Sequence, residues 1–502
     1  MMYCGCRSPS PAPNPPLRSW FALCMAAWVC ALGPGTAGCT SDDSFPSANP
    51  FTDASLGGTV GYDPSGSSIT PIGGDGGVAL KAWPPSGVTC QATSPCPPDP
   101  GPNAVYVTIS GESNALTGYP FPPNLGTDST YMVDGWSIHI DEYIVNVDNI
   151  VLWSNPDANP SNQGSLQGMI QVAHLSGPFV VDLHKGGRII GQGGAPEEAT
   201  PIGVIANQND NGFRPFDSTT AYGFGFSTVA ATYDAYNVNL DSSEAADFDY
   251  MVQSGYSVLY VGTATWAGGS SPYTCTQTQA GAGPNAGQID GAEAGAVATY
   301  VDGGYDFSRL PSRMAFRLGF STPTNYVNCQ NMTLQGTPNA NEDYPRGVQT
   351  SSSDSVIAQV TLHMDHPFWE SFAEGSPIHW DQIAGQYIGV ETPTAAVDDM
   401  KGIPFYAFTD STGTPLPWRN CVGSNYYASP TNGQMSFSTL SVPINPQGTC
   451  TGEIGVDFSK DNCPAIRDYF DYIRFTQSTQ GHLNSQGQCF IDRHYPAPAG
   501  GS

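Results

Sequence analysis

Eight cysteines beyond residue 40 do most to limit what this chain can become: Cys90, Cys96, Cys275, Cys329, Cys421, Cys450, Cys463 and Cys489. The other five, Cys4, Cys6, Cys24, Cys30 and Cys39, lie at the front. There Arg7 and Arg18 are the only charges before an apolar run from Trp20 to Leu32, and Thr36-Ala37-Gly38-Cys39 follows. A cationic start, an apolar stretch too short to span a bilayer and small residues before a cut describe an export leader over residues 1–38. A cysteine directly after the small residues is the bacterial lipobox arrangement. Cys39 is therefore expected to carry lipid and tie the protein to a membrane, at the outer membrane, the cell surface or within the periplasm. Plain secretion with cleavage nearby is the second reading. An even cysteine remainder in an oxidising compartment predicts disulfides but leaves their pairing open. Neighbours along the chain are expected to pair: Cys90 with Cys96, Cys275 with Cys329, Cys421 with Cys450, and Cys463 with Cys489. No C-x-x-C occurs, so a thiolate metal site is not expected.

Charge narrows the partners. Forty-four acidic side chains against 16 Lys and Arg give a formal charge of -28. Such a surface repels nucleic acid and anionic membranes, and it suits solubility outside the cytoplasm. Charged residues make up only 12% while aromatics reach 11%, which separates the chain from a disordered acidic tail. With 58 glycines and 44 prolines, a loop-rich, disulfide-braced β protein is the expected class.

Ser41-Asp42-Asp43-Ser44 opens a Ser/Gly/Pro-rich stretch, so residues 39–103 are expected to be a flexible tether, with a small β element near Gly77 to Trp83. Residues 104–495 then form one folded domain and 496–502 a tail. Strand signals dominate that domain: Ala104–Ile109, Trp136–Val147, Phe179–Leu183, Ala221–Ser227, Tyr256–Thr265, Met314–Phe320 and Val356–Met364. Apolar parity is even at Trp136, Ile138 and Ile140 and odd at Tyr143, Val145 and Val147, which predicts a bulge near Asp141 and Glu142. Helices are few. Asp241 with Glu244 reads as a capping box for a segment ending at Gly255. Asp365-His366-Pro367 begins a short helix stopping at Gly375, and Ser376-Pro377 begins another through Ile388. Asn462 caps a third, with Ile466, Phe470 and Ile473 on one face. The predicted fold is an antiparallel β-sandwich with a few inserted short helices.

Standard catalytic signatures are absent: no G-x-S-x-G, H-E-x-x-H, phosphate-binding loop or dinucleotide fingerprint occurs. The densest local chemistry is His363-Met364-Asp365-His366. Along the strand, Val356, Ala358, Val360 and Leu362 share the buried parity, and Gln359, Thr361, His363 and Asp365 share the polar face. His366 follows at the corner, so two imidazoles and a carboxylate are expected to meet and bind copper or zinc. Met364 points away by the same alternation. His379, Asp381 and His482 are expected to converge on that group, with Asp365 or Asp381 orienting the rings. His184 pairs on a strand face with Asp182, and His139 with Asp141. A calcium reading competes at Asn207-x-Asn209-x-Asn211-Gly212, aided by Asp210 and Asp217, but position 12 of the loop is Ser218 rather than Glu.

Val133-Asp134-Gly135-Trp136, Val181-Asp182-Leu183-His184-Lys185-Gly186-Gly187, Phe316–Phe320 through Asn328-Cys329-Gln330-Asn331, and His363-Met364-Asp365-His366-Pro367-Phe368-Trp369-Glu370-Ser371-Phe372 resemble a family of large bacterial lipoproteins without an assigned activity. The resemblance covers about residues 104–490. Tyr143-Ile-Val-Asn-Val, with a late histidine-bearing strand, also resembles periplasmic copper-binding proteins of the MbnP type, the methanobactin-operon partners. That likeness implies a β-sandwich holding copper through histidines, although the spacing at His363 differs. The expected role is non-enzymatic metal binding by an exported, lipid-anchored protein. The alternatives are a glycan- or protein-binding surface module, using exposed Trp and Tyr, and a hydrolase with dispersed acids.

Overall fold

A computed structural model describes residues 69–72, 78–84, 94–124, 130–162, 164–268, 275–277, 300–301, 304–305, 309–340, 342–369, 377–401, 419–421 and 469–493. The expected leader, Cys39, Cys90, Cys450, Cys463 and the Asn462 cap lie outside those residues.

The long strand Trp136–Ser154 organises the larger sheet. Its first half pairs antiparallel with Val258–Trp266, which in turn pairs with Arg313–Phe320. Its second half meets Phe179–Asp182, Ala221–Thr228 and Gln171–Leu175. Between the two, Ile140 opposes Gly262 while Glu142 opposes Val261, so Asp141 is the extra residue of a bulge and the side-chain parity flips there. Gly262 permits this: a Cβ at that position would lie 2.1 Å from the His139 carbonyl oxygen. Beyond the bulge every residue from Tyr143 to Val147 is buried. Tyr143, Val145 and Val147 face the main core. Ile144 belongs to a second cluster with Phe248 and Met251, which helix Ala245–Ser254 lays over the outer surface. Only half of the expected capping box forms ahead of that helix: Asp241 N–H donates to Glu244 Oε2 at 2.6 Å, but Asp241 Oδ1 accepts from Ser243 N–H, and the helix starts at Ala245 without a side-chain cap and ends at left-handed Gly255.

The smaller sheet is centred on Val356–Leu362. It runs parallel to Val105–Ser110 on one side and antiparallel to Gly481–Leu483 on the other. Val105, Val107, Ile109, Ala358, Val360 and Leu362 share one core with Ile138, Ile140, Tyr143 and Val145 of the larger sheet, so the two sheets form a sandwich. Each such buried Val, Ile or Leu contributes about 1.5–3 kcal/mol. The sheets are mixed rather than purely antiparallel. Besides the parallel centre of the smaller sheet, Tyr236–Asn237 runs parallel to both Val78–Ala82 and Phe179–Asp182. Part of the expected tether is thus built into the larger sheet, with Leu80 buried and Trp83 edge-on to Phe179 at 5.2 Å.

Two helices are shorter than predicted. Proline and glycine punctuate this stretch, and only the turns His366–Phe368, Asp381–Ala384 and Gly385–Tyr387 form among the described residues. Helix Tyr469–Gln477 occupies the third site. No helix among the described residues is long and apolar enough to cross a membrane.

The disulfides depart from sequence-neighbour pairing. Cys275 bonds Cys421, and Cys329 bonds Cys489. Strand pairing decides both. Thr276 lies opposite Asn420, and Val327 opposite Phe490, so each cysteine is carried to a partner far along the chain. Cys96 is also disulfide-bonded; Cys90, its expected partner, lies outside the described residues.

Candidate metal centre

Three histidines meet where the smaller sheet ends. His363 follows Leu362, and its N–H donates to the Gln480 carbonyl at 2.9 Å. His482 sits in the neighbouring strand opposite Thr361, on the polar face it shares with His363. His366 opens the turn after the strand. One ligand atom from each of the three lies within 4.8 Å of the others, and all three side chains are buried.

His363 Nε2 has three polar neighbours. The Ser485 carbonyl oxygen and His482 Nδ1 each lie 2.9 Å away, and Glu112 Oε1 lies 3.4 Å away. An imidazole nitrogen carries at most one proton, so a single proton on either ring cannot satisfy all three contacts. His366 Nδ1 bonds Thr479 Oγ1 at 2.6 Å, which leaves Nε2 buried without a hydrogen-bond partner. Burial first, then the neighbouring rings, holds His366 and His482 well below the ordinary histidine value. Both therefore stand as neutral imidazoles, the form that ligates metals.

The surroundings fix these rings. Asn484 and Ser485 form a tight turn with φ of 51° and 72°. Asn484 Oδ1 accepts from Gln359 N–H at 2.8 Å, and Ser485 N–H donates to Thr361 Oγ1 at 3.0 Å. Gln359 Nε2 donates to Glu197 Oε1 at 2.6 Å, so the polar face of the strand is bonded along its length. Tyr143 and Tyr260 stack at 4.5 Å and both donate to Gln480 Oε1. Trp369 lies over His366 with ring centroids 3.6 Å apart.

The other expected ligands go elsewhere. Asp365 accepts from Trp369 Nε1 at 3.0 Å and is not one of the three grouped residues. Met364 is buried in the core. His379 and Asp381 belong to a different buried network. Asp381 pairs with Arg419, Nε to Oδ2 at 2.9 Å, and accepts from Trp136 Nε1 at 2.7 Å. His379 Nδ1 lies 3.8 Å from Asp134, whose Oδ2 also accepts from Trp380 and Asp381 N–H groups. Asp381 already has its cation in Arg419. His184 Nδ1 bonds the Ala115 carbonyl at 2.8 Å, and His139 lies 3.4 Å from Asp141, with both side chains of that pair exposed. In the calcium-like loop, Asn209 bonds the backbone of His174 in strand Gln171–Leu175, Asn211 bonds Gln208, and Asp217 accepts from Thr219. The Trp and Tyr platform of a sugar binder is sparse: Phe213 and Tyr233 are the exposed aromatics among the described residues.

Glu112 and Ser485 are the site neighbours that sequence reasoning missed. Neither carries a local signal, since each reaches His363 only through strand pairing.

Buried carboxyl groups away from this centre set a pH dependence. Burial, then Asp381, pushes Asp134 up to about 7. Burial, then its contact with Asp182, raises Glu244 to about 7, and burial raises Glu142 to about 8. Each binds its proton more tightly folded than unfolded, where carboxyls titrate near pH 4. Their stabilisation is complete below that value and lost as pH rises through 7 to 8. The lowered histidines act in the opposite sense, but below about pH 6.5. The calorimetric melting temperature should therefore fall between pH 6.5 and 8.5, with solvent screening reducing the share of the half-buried Glu142. Glu142→Gln should flatten that fall; an unchanged profile would remove Glu142 from it.

No family model, curated protein or solved structure matches this chain.

Proposed function

We propose that the protein is exported, anchored through Cys39, and binds one transition-metal ion, copper or zinc, at His363, His366 and His482. Its role is to hold the ion, since the three rings are sealed from any sizeable substrate. The supporting observation is the crowding at His363 Nε2: an oxygen, a ring nitrogen and a carboxylate face one nitrogen, and a single proton on either ring cannot satisfy all of them. A cation there satisfies all of them. A tetrahedral ion with bonds of about 2.0–2.1 Å needs adjacent nitrogens about 3.3 Å apart. The His363–His482 contact at 2.9 Å then opens by only a few tenths of an ångström. The likeness to MbnP-type proteins implies copper.

The test is elemental analysis of full-length protein, loaded with Cu²⁺ or Zn²⁺ and then desalted. One bound ion per chain is expected. His363→Gln with His482→Gln should abolish it while the circular dichroism is retained. His379→Gln should keep it, because that ring lies in the Asp134 network. Wild type that elutes metal-free, or a double variant that retains its ion, would sink the reading.

A further inference from the structure

We propose that Glu112 is the fourth donor of this centre and makes it selective for divalent ions over Cu⁺. The proposal rests on the metal reading above. Topology brings Glu112 there: Val105–Ser110 runs parallel to Val356–Leu362 with Ser110 beside Thr361, so the residues just past both strand ends are neighbours. Two features hold it in place. Its φ is +62°, a left-handed conformation uncommon for a residue with a side chain, and its N–H donates to Ser110 Oγ at 2.9 Å. Gly111 before it has no room for a side chain, since a Cβ would lie 2.6 Å from Ala115 Cβ and 3.0 Å from the Tyr143 ring. Strained backbone kept by a tight fit is what a positioned functional group displays.

The separation is informative. Glu112 Oε1 and His363 Nε2 are 3.4 Å apart, beyond a good hydrogen bond of about 2.7–3.2 Å. It matches the roughly 3.4 Å between a nitrogen and an oxygen on adjacent corners of a tetrahedral ion. The carboxylate is not among the ligand atoms that lie within 4.8 Å of one another, so it completes the centre by turning inward toward His366 and His482 as the ion enters. Three imidazoles with one carboxylate suit Zn²⁺ or Cu²⁺, whereas Cu⁺ prefers soft sulfur donors. The nearest sulfur in sequence, Met364, is packed into the core. Glu112 is also the open side of the group, with its side chain 21% exposed against 5% for His363, so an ion arrives past the carboxylate.

Full-length protein and its Glu112→Gln variant should be titrated with Zn²⁺ against a chromophoric chelator, and anaerobically with Cu⁺ against a cuprous chelator. The variant should bind Zn²⁺ at least about tenfold more weakly, leave Cu⁺ affinity nearly unchanged, and alter the electron paramagnetic spectrum of the Cu²⁺ form. If Gln unsettles the turn, Glu112→Asn keeps a residue tolerant of left-handed backbone and should give the same result. Equal Zn²⁺ affinity in variant and wild type overturns the role of Glu112. Equal losses for both ions overturn the selectivity. Wild type that binds neither ion overturns the metal reading itself, a distinct result.

Discussion

Arg419→Met is expected to destabilise the fold by about 3–5 kcal/mol, because it strands a carboxylate in the core. Asp381 is fully buried, and the guanidinium meets both of its oxygens. The Arg419 backbone N–H adds a third bond at 3.2 Å. The same guanidinium lies over the Trp266 ring at 4.4 Å, so it is held by packing as well as by charge. Asp134 stands next to Asp381 and is already pushed up by burial and by that neighbour. Without Arg419, two carboxyl groups would share the site with His379 as the one cationic candidate among the described residues, and one would have to take up a proton on folding. Denaturant unfolding at neutral pH measures the loss. The pairing account adds a second outcome: Asp381→Asn in the Arg419→Met background should recover much of it, since asparagine can still accept from Trp136 Nε1. A single variant within about 1 kcal/mol of wild type would mean the pair holds little.

The centre was partly legible in the sequence, and the boundary is physical. Period-two alternation located Val356–Leu362 and its polar face, because a strand buried on one side writes its register into the chain. Gln359, Thr361 and His363 do share that face, bonded from Glu197 to Ser485. The parity change at Asp141 likewise announced its bulge. What alternation cannot specify is which distant strand lies alongside. His482 and His379 looked equivalent as companions for His363, yet only Gly481–Leu483 pairs with that strand. His379 instead follows Ile378, whose carbonyl accepts from Val133 N–H, which draws it toward Asp134. The same blindness mispaired the cysteines and hid Glu112. Asp365 failed for a different reason: the strand ends at Leu362, so alternation no longer governs its direction and Trp369 takes its carboxylate.

Removing the Cys329–Cys489 bridge should lower stability by about 5 kcal/mol and, on the metal reading, weaken ion binding as well. The bridge spans 160 residues, and releasing so long a loop restores the unfolded chain much of its freedom. The bridges cross, since Cys421 lies between Cys329 and Cys489. The loop that Cys329–Cys489 closes thus stays long when the other is intact, and the logarithmic dependence changes little. Position separates their functional effects. Cys489 directly follows Gly487–Gln488, the strand that pairs with His482 and closes the turn carrying Ser485. Cutting it frees the hairpin that supplies one ring and one of the oxygens at His363. Cys421 instead secures Arg419 over Asp381 and has no part in that hairpin. Cys329→Ser with Cys489→Ser should therefore lower both the unfolding free energy and Zn²⁺ affinity, measured where the variant is still folded. Cys275→Ser with Cys421→Ser should lower stability alone. If the two double variants lose Zn²⁺ affinity equally, hairpin anchoring is not what sets the ring positions; if neither loses stability, the crossed bridges are not constraining the unfolded chain.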